Sequence, residues 1–284
     1  MKNIMLLLFL LINVLSFSQN VENFQTKQVA ESKKFINYIF IKNKQGNLIP
    51  YGTGFFVLKQ IDSNRYIIFL ATAKHVLRDS INNYFNQIFV RFNLKNGEAM
   101  ISQLNLFLGG EEKNVFFHSD STVDIALIPL KGDFSKIDFV ALSVDNMLTR
   151  NDFLKNGIAE GTEVFFTGLF TRCIGIKKNY PISRFGKIAL IPEERIDFVD
   201  SKKDLILLET TSYGGNSGSP VFVSYESGNF KIRKLIGIMT GSFEEFNELS
   251  ILTNPIPISK ENTGISAITP SNYLMELLNS EVFK

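Results

Sequence analysis

Apolar residues in this chain come in short runs broken by polar turns, at 35–41, 54–58, 66–71, 88–92, 100–108 and 125–130 in the first half. A second series occupies 163–168, 185–191, 205–210, 220–223, 235–240 and 264–268. The runs are short for core helices and rich in Phe, Ile and Val, which pack well on a pleated, half-buried surface, so each predicts a strand. Long amphipathic helices between the runs, which a parallel α/β fold needs, are missing. Two sets of six runs therefore predict an all-β protein of two six-stranded antiparallel β-barrels. Helical spacing is confined to the end, where Tyr273, Leu274, Leu277 and Leu278 recur at helical intervals and Ser271 stands where an N-cap belongs, predicting a C-terminal helix. Residues 72–77 leave room for a single helical turn.

The start of the chain has a different pattern. Lys2 precedes an apolar stretch over 4–15, and small residues at Ser16 and Ser18 suit cleavage before Gln19, so residues 1–18 read as a secretory signal peptide. The stretch is shorter than the ~20 residues that cross a bilayer, so the expectation is a secreted or periplasmic protein with no membrane span after cleavage. Residues 19–34 are polar and irregular and predict a loosely attached lead-in. The first barrel is expected over 35–150, and the second barrel with the C-terminal helix over 151–284.

Composition narrows the picture. With 284 residues, 45% of them hydrophobic, the chain can bury a sizeable core. Thirty Lys plus Arg against 28 Asp plus Glu, without a basic run, leave no implied nucleic-acid partner. Cys173 is the only cysteine, so no internal disulfide or cysteine-based metal cluster can form, and it reads as a small buried hydrophobe.

The sharpest chemical signal is Gly214-Gly215-Asn216-Ser217-Gly218-Ser219-Pro220, followed at once by Val221-Phe222-Val223. A serine attacking a carbonyl needs open approach and backbone N–H groups aimed at the developing oxyanion, which glycine permits. Gly215 and Ser217 would supply those N–H groups. Such a nucleophile needs a base, and the chain has two histidines. His75 follows an apolar run in Thr72-Ala73-Lys74-His75-Val76, whereas His118 lies in a polar stretch beside Ser119 and Asp120 and reads as structural or exposed. Asp124, set directly before Ile125-Ala126-Leu127-Ile128, is the best carboxylate to orient the imidazole, because its burial there would be costly without a partner. Asp120 and Asp133 read as solvated loop acids. The order His75, Asp124, Ser217 differs from that of α/β-hydrolases and subtilisin-like enzymes, and Ser219 stands where a Gly-x-Ser-x-Gly elbow needs glycine.

These residues resemble the trypsin-like peptidases of the chymotrypsin superfamily. Gly52-Thr53-Gly54-Phe55-Phe56-Val57 looks like the strand before the histidine, 72–76 like the histidine motif, 124–127 like the aspartate motif and 215–220 like the serine motif. Asn216-Ser217-Gly218-Ser219-Pro220 is most similar to bacterial glutamyl endopeptidases and high-temperature-requirement proteases. The resemblance implies two barrels with the triad in the cleft between them, an acyl-enzyme route to peptide cleavage, a protein or peptide substrate, and neither cofactor nor metal. It places Thr211 and Ser212 at the floor or wall of the specificity pocket, with Thr240 and Gly241 beside the substrate backbone. Met239 falls where glutamyl endopeptidases carry a histidine, which argues against preference for Glu and, with no charge at the pocket base, for an uncharged side chain before the scissile bond. Asn216 replaces the aspartate that pairs with a new N-terminus in zymogens, so that activation switch is not expected. The competing readings are a catalytically inactive or latent peptidase-like binding module, and an ester hydrolase on the same fold. Nothing in the sequence specifies an oligomeric state.

Overall fold

A computed structural model describes residues 29–283 apart from 64, 109–111, 200, 228–229 and 249–257. The expected signal peptide lies outside the described residues. The first half contributes β1 (Ile36–Lys42), β2 (Leu48–Gln60), β3 (Tyr66–Thr72), β4 (Gln87–Asn93), β5 (Ala99–Asn105), β6 (Phe107–Leu108), β7 (Glu112–Lys113), β8 (Phe116–Phe117) and β9 (Ala126–Leu130). After helix α1 (Asn151–Lys155) come β10 (Glu163–Gly168), β11 (Ile182–Leu190), β12 (Ile196–Phe198), β13 (Ser201–Lys203), β14 (Ile206–Glu209), β15 (Pro220–Ser227), β16 (Phe230–Glu248) and β17 (Ile258–Pro270). Helix α2 (Ser271–Leu278) follows directly.

All twelve apolar runs fall on strands, and the second set closes into a six-stranded antiparallel barrel in the order β10-β11-β14-β17-β16-β15. The first set differs from expectation. It forms a seven-stranded half-barrel, β5-β4-β1-β2-β3-β9-β8, because the two-residue β8 adds itself beside β9. Strands β6 and β7 pair only with each other, as do β12 and β13. Strand β6 falls at the end of the apolar run 100–108, whereas β7, β12 and β13 lie in segments with no apolar run by which they could be read.

Each half has its own core. Ile39, Phe56, Leu70, Ile88 and Ile128 pack inside the first. Val164, Phe166, Ile188, Leu208, Val221 and Ile236 pack inside the second. A third cluster joins the halves, setting Tyr38, Phe55 and Phe69 together with Phe165, Leu169, Phe222 and Ile238. Leu274, Leu277 and Leu278 of α2 enter the same cluster, so the amphipathic face read from the sequence is what fastens the helix.

Three expectations need correction. Ser271 does not cap α2: its hydroxyl donates to Leu148 O and Leu235 O, two carbonyls from segments distant in the sequence. The end of the lead-in is attached, since buried Ser32 hydrogen-bonds through Oγ to Thr167 Oγ1 of β10 at 3.0 Å. Cys173 is exposed rather than buried, because it sits in the turn that follows Leu169.

Candidate active site

The strand register brings the candidate acid and base together. Thr72, the last residue of β3, pairs with Ala126, the first of β9, so the chain leaving β3 runs beside the chain entering β9. Asp124 lies just before that pair and His75 just after it. A single 3₁₀ turn, Lys74–Leu77, presents His75, and Gly52 leaves room for Val76 beneath the turn, where a Cβ would come within 2.5 Å of Val76 Cγ1.

Asp124 grips His75 twice. His75 Nδ1 donates to Asp124 Oδ2 at 2.6 Å, and the His75 backbone N donates to Asp124 Oδ1 at 2.9 Å. This fixes the proton on Nδ1 and leaves Nε2 as an acceptor. The Asp124 side chain is only 7% exposed, whereas that of His75 is 45% exposed. Burial alone would push the Asp124 carboxyl up, but the His75 charge and both hydrogen bonds outweigh it and hold the carboxyl below its usual range. Burial likewise opposes charge on His75, and the Asp124 carboxylate overcomes it, raising the imidazole above its usual value.

The loop before Asp124 is held by groups the sequence reading did not assign. Asp120 accepts from Thr122 N at 2.9 Å and from Thr122 Oγ1 at 2.6 Å, and it pairs with Arg195. It is thus the organiser of a tight turn rather than a solvated loop acid. Lys74 is buried and donates to Ser121 O at 2.6 Å, tying the histidine turn to the same loop. Asp133 is an exposed acid that accepts from Ser135. His118 stands apart from the site, bonded to Glu276 and edge-on to Tyr273.

Ser217 lies in the turn between β14 and β15, and main-chain geometry sets its position. Gly215 and Gly218 adopt φ of +95° and +86°, a region that side-chain-bearing residues rarely enter, and a Cβ on Gly218 would fall 2.0 Å from Thr53 O. Gly218 N donates to Met239 O at 2.8 Å and Met239 N to Ser219 O at 2.9 Å. Among the described residues the N–H groups of Gly215 and Ser217 have no acceptor, as donors reserved for an oxyanion would not. Ser217 Oγ makes no hydrogen bond to His75.

Asn216 completes this turn. Its side chain is buried, donating through Nδ2 to Leu169 O at 2.7 Å and accepting from Tyr213 N through Oδ1 at 2.8 Å. Both ends of the Asn216 amide are thereby satisfied within the fold.

Thr53 of β2 connects the two halves. Its N donates to Ser217 O at 2.9 Å, its Oγ1 donates to Gly215 O at 2.7 Å and accepts from Leu169 N at 2.9 Å, and its O accepts from Thr72 Oγ1 at 2.7 Å. The signal for it was present in the sequence, as a small polar residue between Gly52 and Gly54 at the head of an apolar run.

The expected specificity residues sit on neighbouring walls of the second barrel. Ser212 is buried, and its Oγ accepts from Ser266 Oγ at 2.9 Å, adding Ser266 to the residues read from sequence. Thr211 is half-buried beside it. Thr240 is tied to Thr269 through their hydroxyls at 2.7 Å. Met239 is enclosed in the barrel core with Ile236 and Ile268, and Gly241 lies against the Phe198 ring.

A closed six-stranded barrel, a half-barrel and a C-terminal helix in this arrangement define the chymotrypsin-like, or trypsin-like, protease fold. Among solved structures, the chain is similar to the apo form of the MamO protease domain from Magnetospirillum magneticum, with a TM-score of 0.53 and 13% identity over 88% of this chain and 98% of that one. At that identity the likeness speaks for the fold alone. No family model matches the chain, and no curated protein does.

Proposed function

We propose that this protein is a secreted serine endopeptidase with Ser217 as nucleophile, His75 as general base and then acid, and Asp124 as the orienting carboxylate. The observation that carries the reading is the doubly bonded His75–Asp124 pair on a trypsin-like protease fold whose Ser217 turn keeps two N–H groups unpaired. In this mechanism Ser217 Oγ bonds to the scissile carbonyl carbon while its proton passes to His75 Nε2. The carbonyl π electrons move to oxygen, where the Gly215 and Ser217 N–H groups donate to them. His75 then protonates the amide nitrogen as the C–N bond breaks, leaving an acyl-enzyme. A water molecule, deprotonated by His75, releases the acid and restores Ser217. The uncharged groups Thr211, Ser212, Ser266 and Thr240 around the expected pocket favour an uncharged side chain before the scissile bond.

A latent or inactive peptidase-like binding module is the second reading, and the absence of a Ser217–His75 hydrogen bond favours it. One experiment separates the two. The chain from Gln19, beside Ser217→Ala, is treated with a fluorophosphonate probe and a mixed peptide library. Labelling and cleavage by the parent alone support the peptidase, and a folded parent that neither labels nor cleaves supports the binding module.

A further inference from the structure

We propose that Arg91 is a positioning residue for the Gly215 oxyanion donor: it reaches from the half-barrel to pin the loop 169–181, and that loop braces the Ser217 turn. The inference rests on the peptidase reading and deepens it by adding a residue that acts through another.

Arg91 stands on β4 opposite Tyr38 of β1 and is buried, at 7% exposure. Its guanidinium lies 5.4 Å from the centres of both the Tyr38 and the Phe40 ring. Among the described residues no carboxylate pairs with it. Its acceptors are oxygens of one loop instead. Nε donates to Asn179 Oδ1 at 2.6 Å, Nη1 to Gly175 O at 3.1 Å, and Nη2 to Ile174 O and, at 3.4 Å, to Lys178 O. Buried Asn179 answers with two bonds of its own, donating through Nδ2 to Arg91 O at 2.6 Å and through its backbone N to Asn93 Oδ1 at 2.7 Å.

A buried cation with no acid beside it is costly, and an apolar side chain of similar volume is often neutral or stabilising in such a position. What an apolar residue lacks is the planar fork of donors, which here ties two stretches of the loop, 174–175 and 178–179, to one strand. Gly175 lets the chain return between them. It adopts φ of +72°, and a Cβ there would fall 2.2 Å from Tyr180 Cδ2 and 2.4 Å from Lys178 O.

The same loop begins against the Ser217 turn. Leu169 N donates to Thr53 Oγ1, and Leu169 O accepts from Asn216 Nδ2. A Cβ on Gly215 would come within 2.9 Å of Thr171 Cγ2 and 3.1 Å of Leu169 Cδ2, so both side chains bear on the residue whose N–H is assigned to the oxyanion. Between the two ends of the loop, Cys173 N donates to Phe170 O at 2.8 Å and Ile174 packs on the cluster that joins the halves. Contacts therefore run without a gap from Arg91 through 174–179 and 169–171 to Gly215. A backbone donor stabilises an oxyanion only when it is aimed before the reaction, and loosening the grip of Arg91 removes the wall that sets this aim.

The test measures kcat and KM for a peptide that the parent cleaves, and the rate of fluorophosphonate labelling, in the chain from Gln19 and in Arg91→Ala, Arg91→Lys and Asn179→Ala. In Arg91→Ala both kcat and labelling should fall by about ten-fold, short of the ~10² of losing one oxyanion donor, with KM little changed. Millimolar guanidinium should restore kcat in that variant, and sodium chloride at the same ionic strength should not. Arg91→Lys keeps the charge but not the fork, so it should stay impaired. Asn179→Ala should lower kcat in the same way and add little to Arg91→Ala in the double variant. A dye on Cys173, the one cysteine and an exposed one, should turn more freely in each variant. Ser271→Ala is the control for lost stability, since its thermal midpoint should drop while kcat stays parental. If Arg91→Ala does not fold, Arg91→Lys and Asn179→Ala carry the same comparison. Parental kcat in the folded Arg91 variants, or a loss that Ser271→Ala matches at an equal thermal midpoint, overturns the proposal. If the parent neither labels nor cleaves, the peptidase reading fails and the role at Gly215 falls with it, while the Cys173 dye still decides whether Arg91 holds the loop.

Discussion

The two halves of the site are held in different ways. On the half-barrel side, His75 and Asp124 fix one another through side-chain charge, with Asp120, Thr122 and Lys74 setting the loop that brings Asp124 in. On the closed-barrel side, Ser217 is positioned by two glycines at positive φ, by main-chain bonds to Met239 and Thr53, and by the neutral amide of Asn216. Charge gives the first half sensitivity to pH, while the second answers to backbone shape and to the donor and acceptor pattern of one amide. Thr53 keeps the halves in register without belonging to either mechanism.

The largest break in this comparison is Asp124→Asn. On the proposed mechanism, an amide in place of the carboxylate would select the wrong imidazole tautomer, and kcat should fall by about 10⁴. The pH profile should move as well. In the parent, kcat/KM should rise as His75 loses its proton, with a midpoint above its unperturbed pKa of about 6.5. Without the Asp124 charge that raised it, the residual activity should rise at lower pH. The stability linkage follows from the same shifts. The raised His75 contributes stability that is complete below its unfolded pKa and is lost as pH rises through the folded value. The depressed Asp124 contributes stability above its unfolded pKa of about 3.9, lost as pH falls through the folded value. Together they contribute most between those unfolded values, and thermal midpoints across pH for parent and Asp124→Asn should show the difference.

Asn216→Asp breaks the other half with a smaller effect. An ionised carboxylate can accept from Tyr213 N but cannot donate to Leu169 O, so it should disturb the turn that carries the Gly215 N–H. Fluorophosphonate labelling near neutral pH should slow by about 10²-fold, the scale of losing one oxyanion donor. Unlike the parental amide, the new carboxyl titrates. Its folded pKa should be raised, so its destabilising effect is absent below about pH 3.9 and grows as pH rises from there toward the folded value. A stability difference from the parent that does not vary with pH would contradict this account of Asn216.

Ser271→Ala should have the smallest effect and sharpen the comparison by touching neither half. Two buried carbonyls lose a shared donor, which should cost about 1–2 kcal/mol and lower the thermal midpoint by roughly 2–4 °C. Labelling of Ser217 should stay at the parental rate. A loss of labelling would mean that the interface beneath α2 is coupled to the site.

Sequence periodicity was a good guide to strands because every central strand has to bury Phe, Ile or Val, and burial leaves a mark on composition. It missed β8, β12 and β13 because these owe their pairing to where their neighbours lie. Ser271 looked like a cap by position, yet two carbonyls far away in the chain, Leu148 O and Leu235 O, take its hydroxyl. Asp120 looked solvated because Arg195, its ionic partner, is far away in sequence. The candidate chemistry was legible because a base and a nucleophile are rare residue types in special company, here one of two histidines and a serine among glycines.

By itself, then, the amino-acid order determined the strand content, the amphipathic face of α2, and the candidates for acid, base and nucleophile. These are local properties, written in burial period and residue chemistry. Tertiary structure alone decided that Thr72 pairs with Ala126 and so brings Asp124 onto His75, that Thr53 bonds the half-barrel to the Ser217 turn, and that Phe198 takes the space left by Gly241. Those contacts join residues far apart in the chain, and their geometry follows from strand register and barrel closure, which no single segment encodes.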